Sequence, residues 1–138
     1  MDNNLERLIY CSKATVPTNS LALLTDILAV SQRNNERDHL TGALAISDGW
    51  FLQVIEGSPQ NLDRLLARLE ADSRHARLEV LQRRKVRVRL FEKWSMASAR
   101  ITPALGQDLV HLIDECRVNP DAALLGLFDI VLSKLQTA

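Results

Sequence analysis

The chain has 138 residues, the size of one domain with a core of its own, and its 46% hydrophobic and 25% charged content is that of an ordinary soluble globular protein. Seventeen Lys and Arg balance 17 Asp and Glu, which removes the global attraction expected of a nucleic-acid binder or a binder of anionic membranes. No apolar run is long enough to span a bilayer, and the polar, acidic stretch from Met1 to Glu6 does not read as a secretion signal, so the expected location is cytoplasmic.

From Leu5 to Ser12, Leu8, Tyr10 and Ser12 alternate with Ile9 and Cys11, the period of a first strand. Thr18, Asn19 or Ser20 can cap a helix whose Leu21, Leu24, Ile27, Leu28 and Ser31 fall at helical spacing and which ends near Asn34 and Asn35. Leu40 to Ile46 and Phe51 to Ile55 are strands of a hairpin turned by Ser47 to Trp50, where Asp48-Gly49 supplies positive φ. Ser58 as N-cap and Pro59 at the first helical position start a second helix, with Leu62, Leu65, Leu66 and Leu69 as its stripe, running to about Ala71. Leu78 to Leu90 and Trp94 to Ile101 read as a further strand pair. Thr102-Pro103 and Asn119-Pro120 announce two tail helices, roughly Leu105 to Cys116 and Asp121 to Gln136.

The order β-α-β-β-α-β-β predicts an α+β, ferredoxin-like sandwich with a five-stranded mixed sheet. Several strands carry apolar residues toward both faces, so both faces need cover. The two long helices can supply one cover and the tail helices the other. Residues 1–101 are expected to form the core and 102–138 a helical extension packed on the sheet.

Gln53 shares the face of Phe51 and Ile55 in the middle of a strand that should be buried, and a buried amide must find partners for its oxygen and its two N–H groups. Tyr10 holds the same kind of position on the first strand; alone, it reads more simply as a core tyrosine. One asparagine of Asn34-Asn35 suffices to end a helix, and two adjacent amides are suited to reading the edge of a heteroaromatic ring. Cys11 and Cys116 lack C-x-x-C or Cys/His spacing, and His39 and His111 lack ligand geometry, so free thiols and no metal are expected. The basic run Arg83-Arg84-Lys85-Val86-Arg87-Val88-Arg89 reads as a strand with one wet, positive face, a solvated edge or partner contact rather than a nucleic-acid surface, because aromatics are absent from it.

Tyr10-Cys11-Ser12, Asn34-Asn35, Leu40-Thr41-Gly42, the run Phe51 to Gly57, Asp72-Ser73-Arg74-His75 and Trp94-Ser95-Met96 together resemble, in identity, order and spacing, the BLUF family of blue-light sensors using flavin. The resemblance covers about Leu5 to Ile101. It implies noncovalent FAD, which FMN or riboflavin can replace in a recombinant preparation, lying between the two long helices with Ile27, Leu28, Leu66 and Leu69 as aliphatic walls. Asn35 and Asn34 would bond the pyrimidine edge, Ser12 would line the pocket, and Arg74 with His75 would sit near the ribityl-phosphate end.

By the same resemblance, Tyr10 and Gln53 form the photoactive centre. The tyrosine supplies an electron and a proton, and the amide rotates or tautomerises to leave a red-shifted, reoxidised flavin. Trp94 and Met96, two apart on the last strand, would relay the change. The output expected is a light-dependent contact with a second copy of the chain or with a separate signalling protein, not catalysis. A small flavoprotein reductase, a ferredoxin-like hydrolase and a flavin-free scaffold are the competing readings.

Overall fold

The alternation of Leu8, Tyr10 and Ser12 with Ile9 and Cys11 forms the first strand, β1 (Glu6–Ala14), an interior strand of the sheet in the computed structural model. The structure describes residues 4–15, 33–47, 49–72, 75–91, 97–100, 103–121 and 124–125. β1 pairs antiparallel with β3 (Trp50–Gly57) on one side and β4 (His75–Lys85) on the other, and β3 pairs antiparallel with β2 (Thr41–Ser47). A short β5 (Ala97–Arg100) runs parallel to β2, giving the order β4-β1-β3-β2-β5. The class is α+β, as expected.

Among the described residues, one long helix packs on each face. α1 (Pro59–Ala71) starts as its sequence requires, with the Ser58 Oγ accepting from Asn61 N at 3.3 Å and Pro59 in the first turn, where its missing N–H costs nothing. Its Leu62 and Leu65 are buried with Leu8, Tyr10, Leu40, Leu44, Phe51 and Ile55. On the opposite face Ile9, Cys11, Ala43, Ala45, Leu52 and Val54 pack against Leu112, Ile113 and Cys116 of α2 (Pro103–Val118), with Phe91 and Leu124 completing the cluster. β1 and β3 are therefore sealed on both sides, which explains their continuous apolar runs.

Two glycines serve different ends. Gly49, at φ +83°, makes the β2–β3 turn that the sequence signals. Gly42 lies where a Cβ would collide with the Val54 carbonyl, so β2 can approach β3 there only without a side chain.

β4 departs from expectation. It begins at His75 and stops at Lys85, whereas the Val/Arg alternation predicts a strand to Leu90. Past Lys85 the chain leaves the sheet because other partners take its N–H groups: Leu5 O accepts from Val86 N at 3.0 Å, and the Glu56 carboxylate accepts from Leu90 N and Phe91 N at 2.7 and 2.8 Å. Nor is the basic run simply a wet face. Arg83 bonds Glu6, Asp63 and the Pro59 carbonyl, Arg84 bonds Asp121, and Arg89 bonds Thr41 and the Glu56 carbonyl.

β4 also slips register against β1 between Ile9 and Tyr10 and between Cys11 and Lys13, and Arg77 takes φ +54° at the second slip. Of the first long helix expected up to Asn35, only the end falls among the described residues, where 33–37 are helical. Most of the last tail helix and the Trp94 to Met96 part of the final strand lie outside them.

Candidate functional site

Strand register brings Tyr10 directly opposite Gln53. Such cross-strand pairs hold their Cβ atoms about 4.5 to 5.5 Å apart, within reach of a phenol–amide hydrogen bond. The row continues across the sheet, with Val80 opposite Tyr10 on β4, Leu44 opposite Gln53 on β2 and Ser98 opposite Leu44 on β5. Tyr10 is 3% and Gln53 5% exposed, on the face toward α1. Burial first, and the carboxylate of Asp72 at the end of α1 second, push the Tyr10 phenol above its ordinary pKa of 10.0. The phenol therefore keeps its proton throughout the physiological range. A buried, protonated tyrosine beside a buried amide can lose an electron and a proton together and hand the proton to a neighbour already in line.

A second polar group lies where the helix ending at 37 turns toward β2. Asn35 is buried and Asn34 half-buried, and their carbonyls accept from Leu40 N at 2.8 Å and Asp38 N at 3.0 Å. His39, at φ +54°, completes the turn and swings Leu40 into the core. The buried Asp38 carboxylate receives Arg37 Nε and Nη2 at 3.0 and 3.2 Å and Arg68 Nη1 at 3.0 Å, and its carbonyl receives Asn61 Nδ2 at 2.7 Å. The hydrogen bonds from Arg37, with a smaller part from Arg68, hold this carboxyl below its ordinary range despite burial. Asp38 thus ties the Asn34-Asn35 turn to α1.

One atom of this cluster is left over. Arg68 Nη2 is buried and has no hydrogen-bond partner among the described residues. A buried guanidinium N–H without an acceptor is costly, so this donor is open to an acceptor from outside the described residues.

The sequence did not single out Arg68, Asp38 or Asn61, and it marked Asp72 only within the Asp72-Ser73-Arg74-His75 segment of the resemblance. Arg68 had a signal, standing one turn from Leu65 at the rim of the apolar stripe. Asp38 had none, since its partners come from distant segments. Ser12 is fully buried, and Leu66 and Leu69 are half-buried against the α1-side core. His75 opens β4. Ile27, Leu28, Arg74, Trp94 and Met96 lie outside the described residues, as does the side chain of His75.

Comparison with known proteins identifies the family. Residues 5–97 match the family model BLUF, described as sensors of blue light using FAD. Over 101 residues the chain is 36% identical to the photoactivated adenylate cyclase subunit alpha-like protein FB of Euglena gracilis, covering 72% of this chain and 10% of that one. Over 99 residues it is 36% identical to the beta subunit of Euglena longa, covering 71% and 12%. The chain thus spans only about a tenth of the length of these curated relatives.

Among solved structures, the dark state of BlrB, a BLUF protein, superposes with a TM-score of 0.75 at 26% identity over 96% of this chain and 99% of that one. A bacterial light-regulated adenylyl cyclase superposes at 0.69 and 28% identity, over 88% and 36%. The chain belongs to the BLUF family. It is a blue-light sensor domain whose cofactor is FAD. No described helix is long and apolar enough to cross a membrane.

Proposed function

We propose that light is sensed by the Tyr10–Gln53 pair, with FAD held between α1 and the helix whose last turn carries Asn34 and Asn35. The observation that carries this reading is the register: an oxidisable phenol directly opposite an amide, both buried, on the face that α1 covers. The pocket residues fit the cofactor. Leu66 and Leu69 supply apolar wall, Asn35 supplies donor and acceptor, and Arg68 Nη2 supplies a buried N–H in need of a carbonyl. Ile27 and Leu28 complete the wall, Ser12 lines the floor, and Arg74 and His75 attend the phosphate end.

FAD, when bound, supplies blue-light absorption and a strongly oxidising excited state. The chain's residues do the rest. Tyr10 gives up an electron and its phenolic proton, Gln53 accepts the proton and reorients or tautomerises, and both return as charge recombines. Exchanging one hydrogen bond for another is worth roughly 1 kcal/mol, so the switch can only bias an element close to balance.

That element is the final strand, with Trp94 and Met96, and the helical tail from residue 102 onward. Support for a tail relay comes from α2, which seals the sheet face opposite Gln53. The ferredoxin-like order β-α-β-β-α-β-β, with a fifth strand beside β2, completes the reading. The output is a light-dependent change in self-association or in binding to a separate signalling protein. The cyclase relatives, photoactivated by name, join light to enzymatic output within one longer chain.

The test is the absorption spectrum of the purified, FAD-loaded protein before and after blue light. A small red shift that reverses in the dark is the expected result. Steady NAD(P)H oxidation without a reversible shift would replace the sensor with a flavin reductase.

A further inference from the structure

Glu56 is a fully buried carboxylate for which the light-driven pair has no use, although it sits three positions beyond Gln53 on the same strand. A buried ion persists only when its partners replace water, and here they do. The carboxylate accepts from Leu90 N at 2.7 Å, Phe91 N at 2.8 Å, Arg7 Nε at 3.0 Å and Thr41 Oγ1 at 3.5 Å. Arg89 closes the arrangement from the other side, donating to the Glu56 carbonyl at 2.9 Å and to Thr41 Oγ1 at 3.0 Å. The end of β3 and the segment entering the final strand are thus clasped together.

The clasp is specific to a carboxylate. Two backbone N–H groups and a guanidinium converge on its two oxygens, whereas a glutamine would offer one oxygen and turn an NH2 toward donors. The clasped segment touches the face that α2 covers. Phe91, held through its N–H by Glu56, is 1% exposed and packs in the cluster that includes Leu112, Ile113 and Leu124. An unbroken path therefore runs from Gln53 along β3 to Glu56, across to Phe91, and into the α2 face.

We propose, on the sensor reading above, that Glu56 is a positioning residue that passes a change at Gln53 to α2 through Phe91, independently of Trp94 and Met96. The clasp makes β3 and Phe91 move as one unit, so a shift of β3 alters the seat of α2 rather than dissipating in the connecting segment.

The experiment uses the full chain loaded with FAD and the variant Glu56→Gln. Three quantities are read: the light-induced red shift, the dark recovery rate, and the light-minus-dark hydrogen exchange of α2. The expected variant keeps the red shift of the parent, recovers at a rate changed severalfold, and loses most of the light-dependent change over Pro103–Val118. An unchanged light-minus-dark difference in α2, with the Leu90 and Phe91 amides newly unprotected, would overturn the proposal, since the clasp would be open and the signal still delivered. If Glu56→Gln does not fold, Phe91→Leu decides, because it keeps the clasp but trims the contact with α2. A normal red shift with a weakened α2 response supports the path, and a full response refutes it. A parent protein without any red shift would instead overturn the sensor reading, and the coupling with it.

Discussion

The two faces of the sheet bury similar aliphatic walls but differ in what lies among them. Toward α1, the apolar cluster holds a tyrosine hydroxyl, and Gln53 and Ser12 are buried on the same face. Toward α2 the cluster is aliphatic and aromatic apart from two thiols, and its buried carboxylate, Glu56, lies at the rim with several donors on it. Burial of polar groups costs free energy unless they are hydrogen-bonded, and on the function proposed above the face that carries them in its middle is the working face and the other is cover.

The largest expected effect falls on the working face. Tyr10→Phe nearly conserves volume and should leave folding and FAD binding intact, yet abolish the reversible red shift, because the ring that remains has no phenolic proton to give. Light-minus-dark absorption spectra check this. Next comes the packing beneath α1: Leu62 is fully buried, and Leu62→Ala should cost about 2 to 5 kcal/mol in chemical denaturation. On the covering face Ile113→Val should cost about 0.5 to 1.5 kcal/mol and leave the spectrum untouched, which separates cover from site.

Arg68→Met should weaken FAD binding roughly ten- to a hundredfold by titration, the loss of one charge-assisted hydrogen bond worth about 1.5 to 3 kcal/mol. The covering face also carries a pH signature. Burial pushes the Cys116 thiol from 9.0 up to about 11, so above about pH 9 the unfolded chain loses this proton before the folded one. The folded state then binds more protons than the unfolded state, and stability should fall between about pH 9 and 11. Cys116→Ala should flatten that part of a denaturation-versus-pH curve. The smallest effect is expected at the surface, where Arg117 and Glu79 are 41% and 46% exposed; Arg117→Met should change stability by about 1 kcal/mol or less.

Much of this was legible in the sequence, for local reasons. The alternation around Tyr10, the Asp48-Gly49 turn signal and the Ser58-Pro59 start act over a few residues, and each stands where its own chemistry puts it. Gln53 was legible as an anomaly, an amide amid a buried apolar run. The end of β4 was not, because Val86 to Phe91 have strand-like alternation and leave the sheet only through Leu5 and Glu56, partners remote in sequence. Asp38 and Arg68 escaped for the same reason. They come from different elements, and a lone charged residue carries no sign of the partner that will bury it.

The central claim is that the working amide is Gln53, on the α1 side, and no other. Gln82 provides the control, since its register partner Ile9 belongs to the α2-side core and its buried side-chain oxygen has no partner among the described residues. Light-minus-dark absorption spectra of FAD-loaded Gln53→Leu and Gln82→Leu, recorded side by side, test the claim most directly. The account predicts no red shift in Gln53→Leu and a full, reversible shift in Gln82→Leu; a full shift in Gln53→Leu would contradict it.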